Sequence, residues 1–420
     1  MDYYGSPRIT SEFCDCSMPI TFDSYSNCGH NCAYCFSQYI RGTGPACKDY
    51  DAKKVKTVNV DRVKKIFTGQ IKTPMWKWIE AKRPIQWGGL SDPFCPLEKQ
   101  YGVGLELLKF FNDIEQPISF SSKGDLAITD ERYLNEFKRA GNRWHYKASI
   151  ITLDEEDWQL VERGTPTPQR RVEVLKRLHE EAGTLTTWRM RPFIVGVTDK
   201  TMSEMIKTAK EIGCQSITTE FFCLDTRGFG RNETLENYKR ISQAADMSLL
   251  KFYKRYGTGS GYVRLDYNFL KPYVKRYMDE CKAVGLPYFI SDAKHKDKSC
   301  GGSCCGLLDT NEYFKDYAKF QMSNLIHKIK EKGIMTLTEA MEYLDETEKD
   351  WRVNSKVEQY MNLGSGSQRH KRRDMTYQDY FIKQWNGSYF QDYFEGVIYK
   401  IGKDEKGDAV YAFDYKKANI

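Results

Sequence analysis

The chain of 420 residues predicts an α/β fold: a parallel partial TIM barrel of about six βα units with a C-terminal α+β extension. Three observations carry this. Short runs rich in β-branched and aromatic residues alternate with segments whose apolar residues recur at i, i+3 and i+4, the pattern of strands joined by crossover helices. Several of the helical segments end in glycine, the residue that closes a helix in the left-handed conformation. The residues that bear chemistry, Cys28, Asp92, Lys123, Gly196 and Cys223, fall just after predicted strands, where barrel enzymes place their sites.

In order along the chain, strands are expected at 18–25 (MPITFDSY), 84–91 (PIQWGGLS), 117–123 (PISFSSK), 145–152 (HYKASIIT), 185–195 (LTTWRMRPFIV), 216–222 (SITTEFF) and 287–293 (PYFISDA). The segments VDRVKKIFTGQI, LEKQYGVGLELLKFFNDI, DERYLNEFKRAG, TPQRRVEVLKRLHEEAG and SEMIKTAKEIG supply helices between them. After about residue 335 the repeat stops. A helix (TLTEAMEYLDETEKDW), a polar and basic stretch at 363–374 (LGSGSQRHKRRD) and a hairpin turning at Lys406-Gly407 follow, the last marked by its turn chemistry. The expected division is an N-terminal segment at 1–17, a barrel domain at 18–335 and an extension at 336–420.

With 40% hydrophobic and 14% aromatic residues, the chain has ample material for a packed core. Its first residues lack the basic and apolar regions of a secretory leader, and no apolar run is long enough for a membrane span. A cytoplasmic protein with no membrane partner is expected. Thirteen unevenly clustered cysteines in a large chain of that kind point to metal or catalytic thiols rather than disulfides. The net charge of +7 fits an anionic partner without requiring one.

Residues 27–39, NCGHNCAYCFSQY, hold Cys28, Cys32 and Cys35 in a C-x3-C-x2-C spacing. Structural zinc wants four ligands, usually as two spaced pairs. Three thiolates suit a 4Fe-4S cluster better, because they leave one iron open to a small molecule.

The spacing, its place after the first strand and the aromatic Tyr34 before the third cysteine resemble the signature of radical S-adenosylmethionine (radical SAM) enzymes. GLSDPFCPLE (89–98), ISFSSKGDLAITDERYL (118–134), ERGTPTPQRRVEVLKRLHEEAG (162–183) and RPFIVGVTD (191–199) are similar, in that order, to segments of the spore photoproduct lyase and DNA-repair-photolyase-like branch. The resemblance covers about residues 18–300. It implies that Cys28, Cys32 and Cys35 bind the cluster and that its open iron chelates S-adenosylmethionine. One electron, from a donor such as flavodoxin or ferredoxin, then releases a 5'-deoxyadenosyl radical, chemistry that proteins delegate to cofactors. It further implies that Tyr34, Ser91, Asp92 and Lys123 line the cofactor site, and that Ile194 and Gly196 present backbone to the adenine. The implied substrate is a base in DNA or RNA, or a nucleotide derivative.

Two departures from the branch leave readings open. Position 95 is a cysteine where glutamine is common, so Cys95 is a hydrogen donor to a product radical or a buried filler, and Cys223 has the same two readings. KHKDKSCGGSCCG (294–306), with Cys14, Cys16 and Cys47, offers a second iron-sulfur cluster, a zinc site or redox thiols at Cys300, Cys304 and Cys305; His295 in that loop is a proton donor, a ligand or simply polar. The basic run Arg369, His370, Lys371, Arg372 and Arg373 lies near Tyr377, Tyr380 and Phe381 and is a phosphate-binding candidate or a solvated loop. The alternatives to a nucleic-acid substrate are radical modification of a peptide or small metabolite with an auxiliary cluster, and a zinc-stabilised nucleic-acid-binding module without catalysis.

Overall fold

The strand-helix alternation folds as a parallel sheet in which neighbours in sequence are neighbours in space. The computed structural model describes residues 6–9, 18, 20–37, 55–73, 75–315, 324–347 and 377–420. They divide into two compact units, one built mainly on Ile20–Pro287 and the other mainly on Tyr288–Ile420. In the first unit, β1 (Ile20–Phe22), β2 (Ile85–Trp87), β3 (Ile118–Ser122), β4 (Trp144–Ser149), β5 (Leu185–Phe193) and β6 (Ser216–Phe221) pair in that order, all parallel. Ordered parallel neighbours joined by helices are the arrangement of an open, partial TIM barrel.

The crossover helices include α1 (Val60–Phe67), α2 (Pro96–Tyr101), α3 (Val103–Asp113), α4 (Glu131–Ala140), α5 (Glu155–Val161), α6 (Pro168–Ala182), α7 (Thr198–Glu211), α8 (Asn232–Ala244) and α9 (Tyr267–Ala283). Local chemistry sets their ends. Thr167 caps α6 by accepting from Arg170 N, Pro168 opens the first turn, and Gly183 closes it at φ 62°. A small antiparallel sheet of Leu224–Asp225, Tyr262–Leu265 and Gly257–Thr258 follows β6.

The expected single helix over 97–114 is broken in two. Gly102 takes φ 64°, a left-handed conformation that glycine adopts without steric cost, and α3 restarts immediately behind it. The buried carboxylate of Glu98 accepts from the Gly104 and Leu105 N–H groups, both at 2.9 Å, and so caps the new helix. It also accepts from the hydroxyls of Tyr25 and of Tyr133, the latter at 2.6 Å. Burial pushes the Glu98 carboxyl above its ordinary value, against these four donors.

Alternation along the strands sorts the two faces of the sheet. One face carries Trp87, Phe120, Trp144, Tyr146 and Trp188, and it packs on the helices through pairs such as Phe120–Phe137 at 5.4 Å and Trp87–Phe111 at 5.7 Å between ring centroids. The other face is polar. Lys147 Nζ donates to Gln86 Oε1 (2.6 Å) and Ser119 Oγ (2.8 Å), Ser119 meets His145 Nδ1 (3.0 Å), His145 Nε2 meets Thr187 Oγ1 (2.8 Å), and Thr187 meets Ser216 Oγ (2.9 Å). Five strands are thereby stitched across the inner face. Burial, then the charge of Lys147, holds His145 far below its ordinary value, so its ring is the neutral bridge of this chain. Parallel strands covered on both faces usually read as continuous apolar runs; this inner face does not.

In the second unit a strand, β7 (Tyr288–Ile290), precedes a short 3-10 stretch at Ala293–Lys298. Helices α10 (Leu325–Lys332), α11 (Leu337–Thr347) and α12 (Tyr377–Asn386) accompany an antiparallel sheet ordered β8 (Ile334–Met335), β10 (Ala409–Phe413), β9 (Ile398–Lys403). The expected hairpin is β9 and β10, with Gly407 at φ 85° in its turn. Among the described residues no helix is long and apolar enough to cross a membrane.

Glu98→Ala leaves two tyrosine hydroxyls and two backbone N–H groups without their buried acceptor. It is expected to lower unfolding stability by about 3 kcal/mol in urea titrations, whereas Glu98→Gln, which keeps one acceptor oxygen, costs less. Equal losses for the two variants contradict the capping role.

Candidate functional site

The site is built where β1, β2 and β3 end. The chain leaves β1 at Asp23, whose buried carboxylate accepts from Leu90 N (2.8 Å) and Ser91 N (2.9 Å), so the loop after β2 is hung on the end of β1. The cysteine loop begins five residues further on, at Cys28. Asp92, itself buried, then joins three loops. Its Oδ1 accepts from Phe94 N (2.8 Å) and Ser122 Oγ (2.7 Å), and its Oδ2 from Lys123 N (2.6 Å) and His30 Nε2 (3.1 Å).

His30 sits inside the motif, between Cys28 and Cys32. Its Nδ1 faces Gly164 O at 3.0 Å. Burial alone would push the imidazole down, but the Asp92 carboxylate outweighs it and raises His30 to about 9, the charged form at neutral pH. Burial likewise works to raise Asp92, and His30, with the Lys123 N–H and the Ser122 hydroxyl, more than offsets it, so the carboxyl lies below its ordinary value. A side chain at Gly164 would put a Cβ 2.0 Å from His30 O, so only glycine lets the two loops approach this closely.

A second clamp holds the other end of the motif. Tyr34 donates its hydroxyl to Glu162 Oε1, and Arg171 donates to Glu162 Oε2 at 2.6 Å and to Ser149 O at 2.6 Å. Glu162 and Arg171 are both fully buried, and Ala33 N donates to Val161 O at 2.9 Å. Burial works to raise the Glu162 carboxyl, and Arg171, Lys123 and the Tyr34 hydroxyl together more than offset it, leaving the group below its ordinary value.

The thiols stand in a cationic setting. Cys32 is buried, which pushes its thiol up, and the Lys123 ammonium opposes that. Arg171 and Arg240 also feel its charge. Lys123 Nζ lies 5.4 Å from the centroid of the Tyr34 ring. The Cys28 thiol lies below its ordinary value, first through its neighbour Cys95, against burial, and then through His30. Among the described residues no three His, Cys, Asp or Glu side chains converge on a point that suits a single metal ion. A 4Fe-4S cluster makes a different demand, since each thiolate binds its own iron.

The expected site residues are therefore distributed as follows. Cys28, Cys32, Cys35, Tyr34, Ser91, Asp92 and Lys123 are brought together by one set of loops. The hydroxyl of Ser91 is sealed from solvent without a hydrogen-bond partner, a buried polar atom with its hydrogen-bonding capacity unspent. Asp92 already serves four internal donors. Ile194 N donates to Thr198 Oγ1 (3.0 Å) and Gly196 N to Asp199 Oδ1 (2.6 Å), so these two N–H groups are spent on the first turn of α7. Cys95 has no exposed surface and caps α2 beside Cys28. Cys223 is half-buried, with its thiol toward Phe221 O at 3.6 Å.

In the second unit, Cys300 N donates to Tyr288 O (3.0 Å), and the sulfurs of Cys304 and Cys305 are 3.9 Å apart. His295 is fully buried. Cys14, Cys16, Cys47 and the basic run from Arg369 to Arg373 lie outside the described residues. Sequence reasoning passed over His30, Asp23, Glu162, Arg171 and Arg240. His30 lay inside the cysteine motif, and Glu162 and Arg171 inside the quoted 162–183 segment.

No family model matches the chain. Uncharacterised proteins of Mycobacterium bovis and Mycobacterium tuberculosis are 24% identical over 220 residues, which is 50% of this chain and 60% of theirs. The chain thus spans less than two thirds of the relatives it matches. A point mutant of spore photoproduct lyase superposes with a TM-score of 0.50 at 14% identity, over 69% of this chain and 80% of that one. The chain shares its open, partial-barrel fold with spore photoproduct lyase. At this identity the likeness speaks for the fold; the chemistry is argued from the residues. Three thiols among cations suit an anionic iron-sulfur cluster, and the orphaned Ser91 hydroxyl suits a polar cofactor, so the residues present fit both groups.

Arg171→Met is expected to destabilise the protein by about 3–5 kcal/mol in thermal or urea unfolding, because it leaves the Glu162 carboxylate buried and unpaired. The double variant Glu162→Gln/Arg171→Met recovers part of that loss. A single variant as stable as the native chain contradicts the clamp.

Proposed function

We propose that this chain is a radical SAM enzyme that acts on a nucleic-acid base or a nucleotide derivative. The observation that carries the first part is the cysteine loop at the strand ends, held at His30 by Asp92 and at Tyr34 by Glu162. Cys28, Cys32 and Cys35 would hold a 4Fe-4S cluster. Together with S-adenosylmethionine, that cluster supplies one-electron cleavage of a sulfonium and a 5'-deoxyadenosyl radical able to abstract hydrogen.

The chain's own residues do the rest. His30, charged and locked between Asp92 and Gly164 O, fixes the span between the first two cysteines. The Glu162–Arg171 pair orients Tyr34 beside the third. Lys123 and Arg240 place positive charge near Cys32, which stabilises added negative charge there. Ser91 would hydrogen-bond S-adenosylmethionine, with Lys123 offered to its carboxylate. Glu220 and Arg191 form an ion pair on β6 and β5, on the polar face of the sheet. That face, together with the net charge of +7, supports a polar, anionic substrate rather than an apolar one. A flavodoxin or ferredoxin would supply the electron.

Anaerobically purified protein is expected to carry about four iron atoms per chain and to form 5'-deoxyadenosine from S-adenosylmethionine with dithionite. Alanine at Cys28, Cys32 or Cys35 removes both the chromophore and the product. Zinc without iron contradicts the reading, and product from a triple alanine variant contradicts the ligand assignment. Incubation with DNA, tRNA and nucleosides, followed by mass spectrometry, tests the substrate class.

Ser91→Ala is expected to keep its iron while binding S-adenosylmethionine several-fold to about tenfold more weakly, the worth of one hydrogen bond at about 1 kcal/mol. Equilibrium binding to the cluster-loaded protein measures it. Unchanged affinity returns Ser91 to a purely structural place.

A further inference from the structure

Cys304 and Cys305 stand side by side in the second unit, in the loop that follows β7, and take no part in the proposed chemistry. Both are half-buried, and their sulfurs are 3.9 Å apart. Adjacency in sequence does not by itself bring two side chains together, because successive side chains of an extended chain point to opposite faces. Here the backbone is bent. Cys305 N donates to Ser303 Oγ at 3.1 Å, Ser291 Oγ donates to Cys304 O at 3.2 Å, and Gly306 follows at φ 73°. Cys300, the third thiol of the loop, is engaged with β7 instead: its N–H donates to Tyr288 O at 3.0 Å, and its sulfur accepts from Tyr288 N at 3.5 Å.

We propose that Cys304 and Cys305 form a reversible dithiol–disulfide couple, oxidised by small disulfides such as oxidised glutathione. The thiolate of Cys304 attacks the small disulfide, forms a mixed disulfide and releases one small thiol. The thiolate of Cys305 then attacks the Cys304 sulfur, closes the protein S–S bond and displaces the second small thiol. The two cysteines lose two protons and two electrons, which the small disulfide takes up as two thiols; the reverse exchange restores the dithiol.

Three physical features favour this chemistry. The closing step is intramolecular between sulfurs already in contact, so it outruns attack by a second molecule. Half-burial leaves the pair accessible to a small oxidant, unlike Cys95 and Cys281, which have no exposed surface. The bridge is also readily undone. The α-carbons of neighbouring residues are about 3.8 Å apart, below the roughly 4.4–6.8 Å usual for bridged cysteines, and a strained disulfide is easily reduced. Closing so short a loop removes little freedom from the unfolded chain. Such a bond reports the surrounding thiol–disulfide balance rather than bracing the fold.

The test is incubation of the full chain with oxidised glutathione, alkylation of the remaining thiols, trypsin digestion and mass spectrometry. Cleavage after Lys298 and Lys315 releases Ser299–Lys315, which carries Cys300, Cys304 and Cys305. The Cys300→Ser chain isolates the pair. Its peptide is expected to be lighter by two hydrogens and to carry neither alkyl group nor glutathione, and treatment with dithiothreitol before alkylation is expected to place an alkyl group on each cysteine. Adding Cys304→Ser or Cys305→Ser to that chain is expected to stop the reaction at the glutathione adduct. Two alkyl groups on the Cys300→Ser peptide after oxidation overturn the proposal. So do glutathione retained on the pair and a bridge from either cysteine to a different peptide. The readout involves neither iron nor S-adenosylmethionine, so its outcome is separate from that of the radical SAM reading.

Discussion

Asp92 has two carboxylate oxygens and four donors, and through them the loops that leave three consecutive strands are tied into one body. Phe94 N belongs to the loop after β2, Ser122 and Lys123 to the end of β3, and His30 to the cysteine loop after β1. Each donor satisfies a group that burial would otherwise leave costly. His30 is the largest influence holding the buried carboxylate ionised, and Asp92 is the largest influence holding His30 charged. Each half of the pair supports the charge of the other, so the spacing between Cys28 and Cys32 is coupled to the geometry of β2 and β3 rather than left to a free loop.

The strands were legible because their chemistry is local. Alternation in WHYKAS or ISFSS and the glycine at the end of α6 announce themselves within a few residues. The cysteine spacing is local as well. What the sequence did not show were partnerships set by the fold. His30 finds Asp92 62 positions away, and Tyr34 finds Glu162 128 positions away, so nothing in the neighbourhood of either residue marks its partner. The break at Gly102 was missed for a related reason: 97–114 has helical periodicity throughout, and only the inward-turned Glu98, meeting Tyr25 and Tyr133, makes two helices better than one.

The polar inner face follows a similar logic at larger scale. Lys147, His145 and their hydroxyl partners each stand one residue out of phase with an aromatic that packs on the helices. Half of every central strand therefore builds the hydrophobic layer, and the other half is released from that duty. Hydrogen bonds running from Gln86 on β2 to Ser216 on β6 give the released half its own order. A fully connected network of this kind fixes strand register as firmly as apolar packing does, because a one-residue slip would break every link.

The Glu162–Arg171 pair raises the question of why two charges are buried where two apolar side chains would cost less. A buried ion pair seldom adds net stability over well-packed apolar residues, since desolvation consumes the attraction. Its contribution here is directional. Glu162 presents one oxygen to Arg171 and the other to the Tyr34 hydroxyl, while Arg171 uses a second N–H on Ser149 O at the end of β4. The position of Tyr34 is thus measured from a strand end through two charged groups, each with fixed hydrogen-bond geometry. An apolar replacement would preserve volume and surrender that measurement, and the residue next to Cys35 would be placed by contact alone. If the three sulfurs hold three separate irons, as the proposed function requires, the loop needs the stricter placement.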